Sequence, residues 1–212
     1  MSNPFRHLDE TFAIGFAKLD HDLLVEELES RDQAWINAVD IPHFELNFNM
    51  GPTVPAAFGL DLSEPYLSVG IVSMVPQARG SIVLASSDCK DDPIIDLNAL
   101  SHEFDKNLAY STLRQVVKLI RHPALQEHIA EEVVVPLSDS DEDLGEYVEN
   151  IGTHMWHGCG TVKMGRMEDP SACVDRNFRL RGIKGLRVAD LSVMPFVPNC
   201  HPTSFGESWH NT

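Results

Sequence analysis

The sequence of 212 residues has no apolar run near the ~20 residues that a membrane-spanning helix requires. It also begins without the apolar core of a secretory signal peptide, so a cytoplasmic location is expected. Basic residues are scarce: 16 Lys and Arg stand against 32 Asp and Glu, giving a net charge of −16. This charge disfavours nucleic-acid binding. The absences therefore predict a protein with neither a membrane nor a nucleic acid as its partner.

Cysteine is also scarce, and its spacing excludes the common motifs. None of the four cysteines forms a C-x-x-C pair: Cys89, Cys159, Cys173 and Cys200. Without a secretory signal, this pattern predicts reduced thiols and no disulfide framework. The sequence has no repeats or low-complexity tracts, and 43% hydrophobic and 23% charged residues are typical of a folded globular chain.

Local patterns predict an α+β fold with an antiparallel sheet and flanking helices. Residues 20–38 have apolar positions at helical spacing, which predicts a surface helix. Three β-like runs follow at 44–50, 66–75 and 80–87. No crossover helix separates these runs, so we expect their strands to pair antiparallel.

Three helices are predicted after the strands. Asp105 could cap a helix whose apolar face extends to Ile120, and Pro123 suits the first turn of a short second helix. Ser140 with Asp143 resembles a capping box at the start of a third helix.

The composition changes after residue 150, where the chain becomes rich in loops. Residues 185–195 predict a turn, a short buried strand and an exit through Pro195. We therefore place a domain boundary here, with one domain at 1–150 and a C-terminal segment at 151–212.

Histidine is the natural candidate for acid–base chemistry because its pKa lies near neutrality. Four of the ten histidines lie in the last 60 residues: His154, His157, His201 and His210. The other six lie among polar or boundary residues and are predicted to be surface or capping residues: His7, His21, His43, His102, His122 and His128.

Two of the C-terminal histidines lie in unusual loops. His157 begins HGCGTVKMG (157–165), whose glycines allow close approach of a flat ligand. His201 lies in PFVPNCHPT (195–203), where prolines stiffen the backbone. The plain alternative for each is a hydrogen-bonded histidine in a turn. A zinc site is a further alternative, but these histidines and cysteines lack the usual ligand spacing, and no metal site is predicted.

Four segments in order resemble motifs of the glucose–methanol–choline (GMC) flavin oxidoreductases. HGCGTVKMG (157–165) is similar to H-x-x-G-T-x-x-M-G, and DPSACVD (169–175) is similar to D-P-x-x-V-V-D. RGIKGLRVADLSVMP (181–195) resembles R-G-V-x-G-L-R-V-x-D-A-S-V-M-P. RGSIVL (79–84) with DPIID (92–96) resembles R-G-x-V-x-L followed by P-x-I-D.

The resemblance implies a function and a set of site residues. Residues 1–150 would belong to the substrate-binding domain, and residues 151–212 would complete an FAD-binding domain. The implied reaction oxidises an alcohol CH–OH group with hydride transfer to FAD, as in fungal aryl-alcohol oxidases and related biosynthetic enzymes. His157 would be the base and His201 its hydrogen-bonding partner. The residues implied near the cofactor are Trp156, Asp190, Leu191, Pro202 and Thr203.

The sequence also departs from the family. It contains no G-x-G-x-x-G loop for the FAD pyrophosphate, and the hydrophobic helix that normally follows the last histidine is not found. We therefore expect a C-terminal fragment or truncated homologue that works with an FAD-domain partner. A non-catalytic accessory protein docking on such a partner is the alternative. The sequence leaves open whether this chain alone is an enzyme, and whether it is an oxidase or a dehydrogenase.

Overall fold

The computed structural model describes residues 11–19, 36, 38, 40–53 and 58–202. These residues form two units, one within 1–77 and 100–153 and the other within 78–99 and 154–212. The helix predicted over 20–38 lies almost wholly outside the described residues, as do His7, His21 and His210. The assignment of substrate-binding and FAD-binding domains stays a prediction.

The first unit contains a three-stranded antiparallel sheet in the order β1-β2-β3. Its strands are β1 (Thr11–Ala17), β2 (Phe44–Met50) and β3 (Leu67–Ser73). Strands β2 and β3 were predicted from their apolar alternation, whereas β1 was not. Alternate residues of β2 face opposite sides of the sheet, so its apolar residues share one face and its polar residues the other.

Three helices follow the sheet in this unit: α1 (Glu103–Ile120), α2 (Pro123–Gln126) and α3 (Asp141–Ile151). Helix α1 packs against the sheet, and α2 and α3 pack against α1. The core combines side chains from β2, from α1 and from segments outside both: Leu19, Ile36, Phe44, Val75, Phe104 and Leu108. The α+β prediction is confirmed, and no helix among the described residues is long and apolar enough to cross a membrane.

The caps of the helices only partly follow the predictions. Ser140 accepts the Asp143 N–H as expected, but α1 is capped by His102 and not by Asp105. Nδ1 of His102 accepts the Phe104 N–H, whereas the buried Asp105 carboxylate accepts the Gln77 N–H at 2.8 Å. Asp105 therefore ties the helix to the end of the sheet region.

The prediction that His43 lies at the surface is wrong, because its side chain is fully buried. Its Nδ1 accepts the Leu19 N–H at 3.2 Å, so the proton is on Nε2, which lies 2.9 Å from the Ile36 carbonyl oxygen. A neutral ring satisfies both partners. Burial lowers the pKa of His43 from 6.5, and the nearby charge of Lys18 acts in the same direction.

We predict that His43 makes folding stability dependent on pH. The unfolded state binds the proton more readily than the folded state, so stability is full above pH 6.5 and falls as the pH drops below it. His43→Gln, which cannot titrate in this range, should flatten the dependence, as measured by denaturant unfolding at several pH values. His128→Gln changes an exposed histidine and serves as the control; an equal flattening by both variants would contradict the assignment.

The second unit contains a hairpin and irregular segments. Its hairpin pairs β4 (Ser81–Val83) with β5 (Ile94–Asp96), and a 3-10 helix spans Leu191–Val193. The buried strand predicted within 185–195 is wrong. This segment forms only an isolated bridge at Arg187 before the 3-10 helix, and Leu186 is nearly half exposed.

Candidate active site

A local turn precedes His157. Trp156 has a left-handed backbone with φ 61°, and its N–H donates to Nδ1 of His154 at 3.2 Å. The two rings meet edge to face with centroids 4.3 Å apart, yet the indole is 84% exposed. A left-handed conformation is costly for a bulky residue, and such conformations cluster at functional sites. This turn sets the direction in which the chain enters His157.

The segment after His157 pairs with the region around the 3-10 helix. The Val162 N–H donates to the Ser192 carbonyl at 3.0 Å, and the Met164 N–H donates to the Val193 carbonyl at 2.8 Å. Since these are backbone hydrogen bonds, they hold two segments that are about 30 residues apart side by side.

Gly160 permits this close approach. Its φ is 82°, and an added Cβ would lie 3.3 Å from the Met194 carbonyl oxygen. Any other residue would be both strained and crowded at this position. The close backbone approach and the left-handed conformation therefore explain why Gly160 is a glycine.

The paired segments bring the two predicted catalytic histidines together. The ring centroids of His157 and His201 lie 6.0 Å apart, with the ring planes at 89°. His157 is half-buried, whereas His201 is exposed. Imidazoles in this arrangement can hydrogen-bond the same small ligand, one nitrogen from each ring.

The other predicted cofactor residues differ in their surroundings. Asp190 is exposed, and its carboxylate accepts the Ser192 N–H at 2.8 Å, which caps the 3-10 helix. Leu191 is half-buried and Pro202 is buried. Thr203 lies outside the described residues. Contacts of these residues with a cofactor stay predictions.

Cys159 lies two positions after His157 and is partly buried. Burial raises the pKa of its thiol, while the positive charge of Arg79 opposes the rise. The thiol is therefore protonated at neutral pH and is a poor nucleophile. Sequence analysis did not identify Arg79 as a residue near the site, although Arg79 begins the Arg-Gly motif at 79–84.

An arginine fixes the turn that follows the motif. Arg181 donates through its two terminal nitrogens to the carbonyls of Gly165 (3.0 Å), Arg166 (2.6 Å) and Asp169 (2.8 Å). Charge-assisted hydrogen bonds of this kind are strong and directional. The Arg-Gly at 181–182 therefore acts on the conformation of the motif loop.

Asp169 stabilises the same turn through its carboxylate. The N–H and hydroxyl of Ser171 donate to it, and Lys163 lies 3.3 Å away. The Ser171 hydrogen bonds and the nearby Lys163 lower the pKa of Asp169 to about 2. The carboxylate is therefore ionised near neutral pH.

The structure offers no metal centre within the ranges it describes. No three His, Cys, Asp or Glu side chains gather there in a way that could hold an ion, and all four cysteines are free thiols.

Two close imidazoles from separate loops, with an exposed indole next to one of them, form a candidate acid–base site. The model of the GMC oxidoreductase family matches residues 76–205, which is more than half of the chain. The chain belongs to this family.

Curated relatives match at 30–34% identity. Dehydrogenase pkfF of Emericella nidulans is 34% identical over 139 residues, covering 65% of this chain and 22% of that protein. Versicolorin B synthase of Aspergillus parasiticus is 30% identical, with the same coverage of 65% and 22%. Pyranose dehydrogenase 3 of Leucoagaricus meleagris is 30% identical over 200 residues, covering 87% and 33%. The chain thus spans between 22% and 33% of these relatives.

Solved structures show the same fold. A formate oxidase variant of Aspergillus oryzae superposes with a TM-score of 0.71 at 23% identity, over 93% of this chain and 37% of that one. A fungal aryl-alcohol oxidase gives 0.61 at 26% identity, over 84% and 28%. By resemblance to this family, the cofactor is FAD.

Proposed function

We propose that this chain forms part of an FAD-dependent oxidoreductase that oxidises the CH–OH group of a small alcohol. The observation that carries the proposal is the pair His157 and His201, with perpendicular rings 6.0 Å apart. The motif that contains His157 and the loop that contains His201 are separate in sequence, and their proximity supports one shared site.

The two histidines have different roles in this proposal. The neutral imidazole of half-buried His157 accepts the hydroxyl proton at a ring nitrogen. His201 hydrogen-bonds the same oxygen and orients the alcohol. FAD, when bound, supplies the acceptor for the hydride.

The described residues fit one side of a flat flavin ring. The Trp156 indole is exposed, and a Cβ added at Gly158 would meet nothing within 4 Å, so the backbone there is open to a planar ligand. The sequence contains no G-x-G-x-x-G loop for the pyrophosphate. In this proposal another polypeptide segment holds that end of FAD.

The partner in this proposal is an FAD-domain polypeptide that packs on the β4–β5 hairpin. The support is the exposure of the hairpin's apolar residues, which lie on both of its faces. Six large apolar side chains there are more than half exposed: Ile82, Val83, Leu84, Ile94, Ile95 and Leu97. Exposed apolar side chains concentrated in this way favour an interaction site.

The names of the relatives are consistent with a small-molecule substrate but do not identify a particular alcohol. They include a pyranose dehydrogenase and a versicolorin B synthase. We infer a role in fungal secondary metabolism from the second of these, with a small-molecule alcohol as the substrate.

We predict that FAD is retained only when an FAD-domain polypeptide is present. The chain is purified alone, and in parallel with the N-terminal half of dehydrogenase pkfF. Excess FAD is added, free ligand is removed, and flavin absorbance per protein is recorded. The complex should hold about one flavin per pair and lose flavin absorbance on addition of benzyl alcohol or another primary alcohol under nitrogen.

A charged substitution on the hairpin tests whether the partner binds there, independently of the reaction at the histidines. Ile95→Lys should reduce flavin retention by preventing the complex, whereas Leu137→Lys, at an exposed position outside the hairpin, should not. Stoichiometric flavin on the chain alone would contradict the need for a partner. Flavin retention without bleaching by any alcohol would contradict the proposed reaction.

A further inference from the structure

Of the C-terminal histidines that the structure describes, only His154 has no role in the proposed function. It lies two positions before Trp156 and three before His157. Nδ1 of His154 accepts the Trp156 N–H at 3.2 Å, and the imidazole meets the indole edge to face with centroids 4.3 Å apart. His154 therefore contacts both the backbone and the side chain of the residue directly before the proposed base.

Two other histidines make the same backbone contact as helix caps. His102 accepts the Phe104 N–H at 3.1 Å as the N-cap of α1. His122 accepts the Ala124 N–H at 3.3 Å as the N-cap of α2. Each bond satisfies an N–H group that lacks an acceptor within its helix. In the described part of the chain no helix begins at His154, so its hydrogen bond has a purpose other than capping.

The left-handed backbone of Trp156 supplies that purpose. Its φ of 61° is unfavourable for a residue that carries a Cβ and a bulky ring. Glycine adopts this conformation freely, as Gly160 does four positions later. Trp156 lacks that freedom, so contacts must hold its conformation. His154 provides two of them, one at the Trp156 N–H and one at the indole.

The conformation of Trp156 determines the direction in which the His157 side chain projects. A change from φ 61° to the usual negative φ would rotate the chain on one side of Trp156 by more than a quarter turn relative to the other. On its other side, the His157 loop is fixed by the hydrogen bond between Val162 and Ser192. The turn at His154 is thus the anchor on the N-terminal side of the proposed base.

We propose that His154 is a positioning residue for the alcohol oxidation. Its Nδ1 holds Trp156 in the left-handed conformation, and this conformation keeps the His157 imidazole close enough to His201 for both rings to reach one hydroxyl group. His154 acts through the backbone of Trp156 and not on the substrate. The chemical part of the proposal rests on the proposed function, whereas its structural part concerns this chain alone.

Two substitutions separate the hydrogen bond from the ring contact. His154→Asn removes the ring but keeps a side-chain acceptor for the N–H two residues further on, a contact that asparagine makes readily. His154→Phe keeps a ring beside the indole but removes the acceptor. His122→Phe is the matched control, because it removes the same kind of hydrogen bond outside the candidate site.

NMR of the full chain without flavin tests the structural part. The one-bond Cα–Hα coupling of Trp156 reports the sign of its φ, and a nuclear Overhauser effect between the rings of His157 and His201 reports their proximity. Both signals should persist in His154→Asn and in His122→Phe, and both should be lost in His154→Phe. Retention of both signals in His154→Phe, or their equal loss in His122→Phe, would overturn the proposal.

A glycine at position 156 separates a loss of the turn from general unfolding. Glycine accepts a positive φ without help. His154→Phe combined with Trp156→Gly should therefore recover the Overhauser effect between His157 and His201 that His154→Phe alone has lost. Failure to recover it would show that His154 does not act through the backbone of residue 156.

Flavin bleaching in the complex with an FAD-domain polypeptide tests the chemical part. His154→Phe should lower the limiting rate by about 10-fold to 100-fold, because a catalytic group displaced by about 1 Å loses this much. The alcohol concentration that gives half the limiting rate should change little, since the base and not the binding of alcohol is disturbed. His154→Asn should recover most of the rate, and His122→Phe should match the parent complex.

The outcomes distinguish this proposal from the proposed function. A parent complex that bleaches with alcohol, together with a His154→Phe complex of equal rate, would overturn the positioning role and leave the reaction standing. A parent complex that never bleaches with any alcohol would overturn the reaction, and with it this role, even where the NMR signals of Trp156 behave as expected.

Discussion

His157→Ala is expected to slow alcohol-dependent bleaching of the flavin by about 10²–10⁴-fold in the complex with an FAD-domain polypeptide. The reason is that the variant removes the proposed proton acceptor while keeping the backbone of the 157–165 loop. The loop itself is fixed by the Val162 and Met164 hydrogen bonds and by Gly160, none of which involves the imidazole. Flavin content should therefore stay unchanged while the rate falls, as measured by stopped-flow absorbance under nitrogen.

Two comparisons distinguish proton transfer from a structural effect. Added imidazole should partly restore the rate of His157→Ala, because a small base can occupy the vacated space, whereas a merely structural loss would not respond. His201→Asn keeps a hydrogen-bonding side chain and should be slowed less. His128→Ala changes a histidine that is exposed beside Glu127 and should match the parent protein. A His157→Ala protein with the parent rate would remove His157 from the proposed chemistry.

The parts of the fold that the sequence predicted are those encoded by local patterns. Strand β2 alternates apolar and polar residues, and Ser140 with Asp143 has the spacing of a helix cap. Pro123 occupies the first turn of α2, as its missing N–H and fixed φ require. Each signal lies within a few residues of the feature it specifies, so no knowledge of the remaining chain is needed.

Two of the wrong predictions, those for His43 and Asp105, depended on partners that are distant in sequence. His43 lies among polar residues in sequence, but the Leu19 N–H and the Ile36 carbonyl satisfy both ring nitrogens and so permit its burial. Asp105 was predicted to cap the helix, but its carboxylate accepts the Gln77 N–H, and His102 caps the helix. A buried polar group is stable only with partners, and those partners are 7 to 28 residues away.

In the candidate site, too, some features follow from local sequence and others depend on distant residues. Sequence motifs identified His157 and His201 individually, and the resemblance to a family paired them. Their proximity depends on the backbone hydrogen bond between Val162 and Ser192, which no local sequence pattern predicts. Residue type thus predicted the chemistry, while the packing of two loops determines whether both rings can reach one ligand.

Gly80→Ala is expected to destabilise the second unit, with a free-energy cost at the upper end of the about 1–3 kcal/mol typical of overpacking. A Cβ at this position would overlap the Asp96 carbonyl oxygen and lie 2.8 Å from that of Leu97. These are backbone atoms, which cannot rotate away as a side chain can, so β4 and β5 would have to separate at their first pair. Gly158→Ala is the matched control because its added Cβ would meet nothing within 4 Å.

Denaturant unfolding measures the cost, and amide hydrogen exchange locates it. The midpoint should fall for Gly80→Ala and stay unchanged for Gly158→Ala, with faster exchange confined at first to the amides of β4 and β5. Gly80 is the glycine of the Arg-Gly motif, and this result would show that no larger residue fits there. Gly80 lets β4 pair with β5, and Arg79, whose positive charge acts on Cys159, lies just before β4. The two residues of the motif would then have separate roles, one in strand pairing and one in electrostatics. Equal unfolding midpoints for Gly80→Ala and Gly158→Ala would show that the hairpin accommodates a methyl group at position 80. Steric crowding would then not explain the glycine.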